Sequence, residues 1–303
     1  AGCAVSVVAR GPALAAITQN RLRLVHANVT QSVTVKACDV PAESGVQDLV
    51  VVAVKAPAMQ SVAAQLGPLV GPQTLIMTAM NGVPWWFCAG LTGAFANTPL
   101  ESVDPGGRIA AAIPARQTPG CVVHASCRIE APGVIRHNMG AGLIVGEAAS
   151  ESGARVDELV TLLRHAGFDA SASPRIQRDV WYKLWGNLTM NPISAITGAT
   201  TDRILRDELT RGFATQVMIE AKEIGTRLGI PIGQEPEDRH ATTLRLGAMK
   251  TSMLQDVEAR KPVELDALVG AVCELGKLVG VPTPFTNALL GLARLHAQTL
   301  GLY

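Results

Sequence analysis

Asp48-Leu-Val-Val-Val-Ala-Val-Lys55 is six aliphatic residues closed by a charge at each end. Six residues are the length of a strand, and a nearly unbroken aliphatic run marks a strand buried on both faces, as in parallel sheets. Working outward, residues 74–80 form a second such run ending at Asn81-Gly82, and residues 58–69 between them have helical character. Upstream, residues 4–9 and 34–37 read as further strands, the first closed by Arg10-Gly11-Pro12, with a short helix over 13–19. This alternation predicts a doubly wound α/β domain. Residues 121–146, broken by Pro132-Gly133, Gly140 and Gly142, read as antiparallel strands finishing the sheet.

After Gly153 the texture becomes helical, with helices predicted over 155–166, 174–196, 207–229, 237–254, 263–279 and after Pro284. The boundary falls near Pro174, giving domains of 1–173 and 174–303. A chain of 303 residues, 48% hydrophobic and 17% charged, accommodates two domains and is not disordered. Its net charge of +1, without a basic block, leaves no footprint for nucleic acid or a membrane surface. The longest apolar runs are far short of the ~20 residues of a membrane helix. No signal peptide is visible, and the six scattered cysteines read as reduced thiols of a cytoplasmic protein. Metal-site, P-loop, HExxH and GxSxG patterns are missing.

In a parallel sheet, ligands bind beyond the carboxyl ends of the strands, which singles out Arg10, Lys55 and Asn81. Arg10 suits the 2′-phosphate of NADP, because a guanidinium pairs with phosphate oxygens and no acid stands there for the ribose hydroxyls of NAD. Taken singly, Arg10 and Lys55 are equally surface charges and Asn81-Gly82 a turn. The glycine fingerprint for a pyrophosphate is absent; Gly140-Ala-Gly142-Leu-Ile-Val-Gly146 has the wrong spacing and reads as a hairpin.

Lys183, Asn187 and Asn191 stand at i, i+4 and i+8, on one face of a helix whose other residues include Val180, Trp181, Leu184 and Leu188. A buried lysine there can have a lowered pKa and donate a proton near neutrality. The alternative is a solvent-facing stripe. Ser252 is placed late in one helix, and Glu264 and Asp266 open the next, where helix capping also accounts for the acids.

Together, Ala53-Val-Lys55, Met80-Asn81-Gly82, Lys183-Leu-Trp-Gly-Asn187-Leu-Thr-Met-Asn191-Pro192 and Thr251-Ser252-Met-Leu-Gln-Asp256…Pro262-Val-Glu264-Leu-Asp266 resemble the ketopantoate reductases over essentially the whole chain. The resemblance implies a Rossmann-type domain joined to an all-α domain like the C-terminal one of 6-phosphogluconate dehydrogenase, with NADPH and a small 2-oxo acid between them. It implies Lys183 as general acid, Glu264 orienting Lys183 or a substrate hydroxyl, and Asn81, Asn187, Asn191, Ser252 and Glu264 as substrate contacts. It further implies a strand and glycine loop preceding Ala1, and pairing into a homodimer. Two departures bear on the substrate: Val83-Pro-Trp85-Trp86-Phe87 adds bulk, read as a cleft wall or a dimer contact, and Thr201 replaces an asparagine. The alternatives are reduction of another 2-oxo acid and a non-catalytic nucleotide-sensing protein.

Overall fold

The computed structural model describes residues 2–149 and 153–303. The first part of the chain forms strands β1 (Ser6–Val8), β2 (Leu22–His26), β3 (Val29–Val33), β4 (Lys36–Cys38), β5 (Leu49–Val52) and β6 (Leu75–Ala79), of which β1, β4, β5 and β6 fall on or beside the expected strands. A long hairpin follows, β7 (Pro119–Ala131) and β8 (Val134–Glu147), and then β9 (Asp169–Ala172). The main sheet runs β3-β2-β8-β7-β6-β5 with β9 beside β8, while β1 and β4 form a separate parallel pair. Pairing of β5, β6 and the start of β7 is parallel, so their carboxyl-end loops share an edge. Gly140 and Gly142 lie within β8 opposite His124, where a Cβ at Gly140 would stand 2.3 Å from the His124 carbonyl oxygen. They serve strand pairing.

Helices α1 (Gly11–Asn20), α2 (Met59–Ala63), α3 (Arg108–Ala112) and α4 (Ala154–His165) accompany the sheet. The rest of the chain is helical: α5 (Ile176–Thr197), α6 (Thr201–Arg206), α7 (Glu208–Arg227), α8 (Pro236–Leu244), α9 (Ser252–Glu258), a π-helical turn at Asp266–Gly270 running into α10 (Ala271–Val279), and α11 (Pro284–Thr299). The central helix, α5, packs on α7, α9 and α11, and on β7 and β8 of the sheet. Apolar residues line all its sides, as expected of a helix enclosed on every flank.

Several local expectations are corrected. The helix predicted over 58–69 is one short helix flanked by 3-10 turns, because Gly67-Pro68 interrupts it. The single helix predicted over 237–254 is two, α8 and α9, parted at Gly247, which has φ +71°. Ser252 therefore opens α9, behind the Thr251 cap, and does not end a helix. The β2–β3 hairpin was not foreseen. Its two-residue turn is Ala27-Asn28, both at positive φ, where glycine would have announced it.

Trp85, Trp86 and Phe87 are neither a cleft wall nor a dimer contact. They are 7%, 3% and 0% exposed and belong to the core that joins sheet and helices. Trp86 donates to Thr78 Oγ1 (3.1 Å), Trp85 to the Ile113 carbonyl (3.3 Å), and Phe87 meets Trp181 at 5.8 Å between ring centroids. Burial of large rings whose N–H groups find acceptors explains why the aromatics leave the surface.

Candidate active site

The polar stripe of α5 faces the shared edge of the sheet. Lys183 Nζ donates to Asn81 Oδ1 at 2.7 Å, just beyond β6, and to the Val123 carbonyl of β7 at 2.5 Å. Accepting through Oδ1 leaves the Asn81 amide nitrogen as a donor. Asn81, Gly82, Val122, Val180, Lys183 and Asn187 line a narrow crevice. A larger depression of about 540 Å³, lined by Cys273, Lys277, Asn287 and Arg294 among others, holds none of these groups.

The chain after α9 reaches the same strand ends. Glu264, 7% exposed, accepts from the Ala56 backbone N–H at 3.0 Å, just past β5. Lys55 forms an ion pair with Asp256 of α9. The Asn81-Gly82 turn rests on the π-helical turn, with Val83 N–H donating to the Ala267 carbonyl at 2.8 Å. Gly82 has φ +82°, and a Cβ there would stand 2.6 Å from that carbonyl oxygen, so only glycine fits. The strand ends of the first domain and the helices of the second thus meet through Lys183, Glu264, Asp256 and Ala267.

Burial shifts the titrations. It pulls the Lys183 ammonium down to about 8, although Cys121 and Glu264 favour the charged form. It raises the Glu264 carboxyl, against the Ala56 N–H and the Lys55 and Lys183 charges, with Asp256 adding to the rise. Cys121 is pushed up to about 12 by burial, with Lys183 pulling the other way. A lysine near 8 beside a buried carboxyl is a proton donor poised near neutrality.

The other expected residues fall in three places. Asn187 lines the crevice, and Asn191, 5% exposed, lies one turn further along α5; neither side chain has a hydrogen bond among the described residues. Ser252 is exposed on α9, which packs on α5. Arg10 is not brought to the others: it is exposed beyond β1 in the separate two-stranded sheet and hydrogen-bonds Gln65. Thr201 is 1% exposed with its hydroxyl on the Gly247 carbonyl (3.3 Å).

Sequence reasoning missed the partners. Val123 and Ala56 act through backbone atoms, which carry no side-chain signal. Asp256 stood inside a quoted motif without a role, and its signal is a lysine at a neighbouring strand end.

The ketopantoate reductase PanE/ApbA family matches residues 1–85, and ketopantoate reductase PanE/ApbA C terminal matches residues 175–297. A 2-dehydropantoate 2-reductase from Mesorhizobium japonicum is 43% identical over 301 residues, covering 99% of this chain and 92% of the relative. The crystal structure of a putative ketopantoate reductase from Ralstonia solanacearum MolK2 superposes with a TM-score of 0.96 at 53% identity, covering 100% of this chain and 92% of that one. D-mandelate dehydrogenase, solved with NADH and anilino(oxo)acetate, shares the fold at a TM-score of 0.84 and 17% identity, covering 100% and 93%. The chain belongs to the ketopantoate reductase family.

Proposed function

We propose that this protein reduces 2-dehydropantoate to pantoate with NADPH, residues 1–173 serving the nucleotide and 174–303 the substrate. The observation that carries the reading is the Lys183 ammonium, half-buried, drawn down to about 8 and held by Asn81 at the carboxyl edge of the sheet. When bound, the nicotinamide supplies hydride to the carbonyl carbon. Lys183 Nζ gives a proton to the ketone oxygen, leaving a neutral amine that is recharged from solvent. Asn81 fixes the direction of that proton and offers its amide to the same oxygen. Glu264 favours the charged form of Lys183 and, with Asn187, Asn191 and Ser252, orients the acid and its hydroxyl.

The residues suit the cofactor. Helix α1 begins directly after Arg10 with no side-chain cap and no acid in its first turn, and Gly11 leaves open space. Uncapped N–H groups beside a guanidinium favour a phosphate, which is the reason for NADPH over NADH. Lys55, paired with Asp256, is placed to reach a ribose-side hydroxyl.

Thr201 favours a second reading of the substrate only. Its hydroxyl is committed to Gly247, so a 2-oxo acid with fewer polar groups than 2-dehydropantoate is the alternative. Among the described residues no helix is long and apolar enough to cross a membrane; we place the enzyme in the cytoplasm. Exposed Leu292 and Leu295 on α11 give a homodimer an apolar contact.

Steady-state rates with 2-dehydropantoate, 2-oxoisovalerate and phenylglyoxylate test the substrate. The highest kcat/KM is expected for 2-dehydropantoate, and negligible turnover of it beside a good rate on another acid assigns the protein to that acid. Absence of turnover on all three, with either nucleotide, removes the enzymatic reading.

A further inference from the structure

We infer that Arg239, on α8, is the cation that selects for the substrate's carboxylate; this rests on the proposed reduction of a 2-oxo acid. Gly186 lies on α5 between Lys183 and Asn187. A Cβ there would stand 2.8 Å from both Nε and one terminal nitrogen of Arg239 and 3.2 Å from its Cζ. The guanidinium therefore lies directly on the α5 backbone at the level of the reacting residues, in space that only glycine leaves open.

It is also fixed there. Its Cζ is 5.1 Å from the centroid of the Tyr182 ring, and Nη1 donates to the Tyr182 hydroxyl at 3.4 Å. That hydroxyl in turn donates to Gln234 Oε1 at 2.8 Å. Stacking on an aromatic face orients a guanidinium without neutralising it.

No carboxylate does so either. Arg239 forms no ion pair among the described residues, and its Nε is buried without an acceptor. An uncompensated buried donor is costly, and such groups are retained where a ligand completes them. Two neighbouring cations are committed: Lys55 to Asp256, and Lys183 to Asn81, Val123 and the proton transfer. Glu264 and Asp256 bring negative charge to the same cleft, against an anionic substrate. His124, next to the Val123 carbonyl that holds Lys183, has its pKa lowered first by burial and then by the charges of Lys183 and Arg239, so both cations lie within electrostatic reach of it.

The test compares a 2-oxo acid with its uncharged primary amide in the parent, Arg239→Gln, Arg239→Lys and Gly186→Ala, with thermal melting as the check of folding. Loss of a charged hydrogen bond predicts a rise of roughly 10- to 100-fold in KM for the acid. The amide's KM and the kcat for both should stay within about threefold, as expected when only ground-state binding is lost. Arg239→Lys should recover part of the loss, and Gly186→Ala, which displaces the guanidinium without removing it, should raise the acid's KM in the same direction. Equal losses on acid and amide, or an unchanged KM for the acid in Arg239→Gln, overturn the inference while the reductase reading stands. A parent inactive on every 2-oxo acid overturns both.

Discussion

Raising the pH from 7 to 9 should remove the proton that Lys183 donates. With burial drawing its ammonium down to about 8, about nine-tenths of the enzyme carries the proton at pH 7 and about one-tenth at pH 9, a tenfold fall in a rate that needs it. A lysine left at 10.5 would lose only about 3% over the same interval. Initial rates of reduction under saturating nucleotide, from pH 6 to 10, separate the two cases. The reverse oxidation needs the neutral amine and should climb through the same region. Because Glu264 favours the charged form of Lys183, Glu264→Gln should move the alkaline limb to lower pH. The sign for stability is opposite to that for activity: keeping Lys183 charged opposes folding below about 8, and this opposition fades as pH rises toward 10.5. A reduction rate flat to pH 9.5, or a limb that Glu264→Gln shifts upward, would refute the electrostatic reasoning.

Three further outcomes follow from the packing. Gly82→Ala sets a Cβ against the Ala267 carbonyl at a left-handed φ and should cost roughly 2–5 kcal/mol in urea unfolding, from strain plus overpacking. Trp86→Ala opens a cavity in the joint core and should cost roughly 3–5 kcal/mol by the same assay; a loss under ~1 kcal/mol would place the ring outside the core, since surface changes stay that small. Arg10→Ala should raise KM for NADPH and leave that for NADH nearly unchanged, and equal preference in the parent contradicts the role given to Arg10.

Legibility in the sequence followed periodicity and side-chain chemistry. The aliphatic runs at 48–55 and 74–80 announced parallel strands, and the i, i+4, i+8 spacing of Lys183, Asn187 and Asn191 announced a polar helix face, whose Lys183 meets Asn81 and Val123 at the sheet edge. The β2–β3 hairpin was hidden by an Ala27-Asn28 turn that contains no glycine. Trp85, Trp86 and Phe87 were misplaced because one-dimensional order shows only that they follow the site, while burial depends on α5 arriving from a hundred residues away. The seam itself, built from the Val123 carbonyl, the Ala56 N–H and the Ala267 carbonyl, is made of backbone groups that every residue carries.

The most direct test of the central claim, that Lys183 delivers the proton, is kcat for Lys183→Ala with the NADPH dissociation constant measured beside it. General-acid catalysis predicts a loss of roughly 10²- to 10⁴-fold in kcat with NADPH binding and folding nearly unchanged. A folded Lys183→Ala protein that turns over its best substrate within about threefold of the parent, far short of that range, would contradict it.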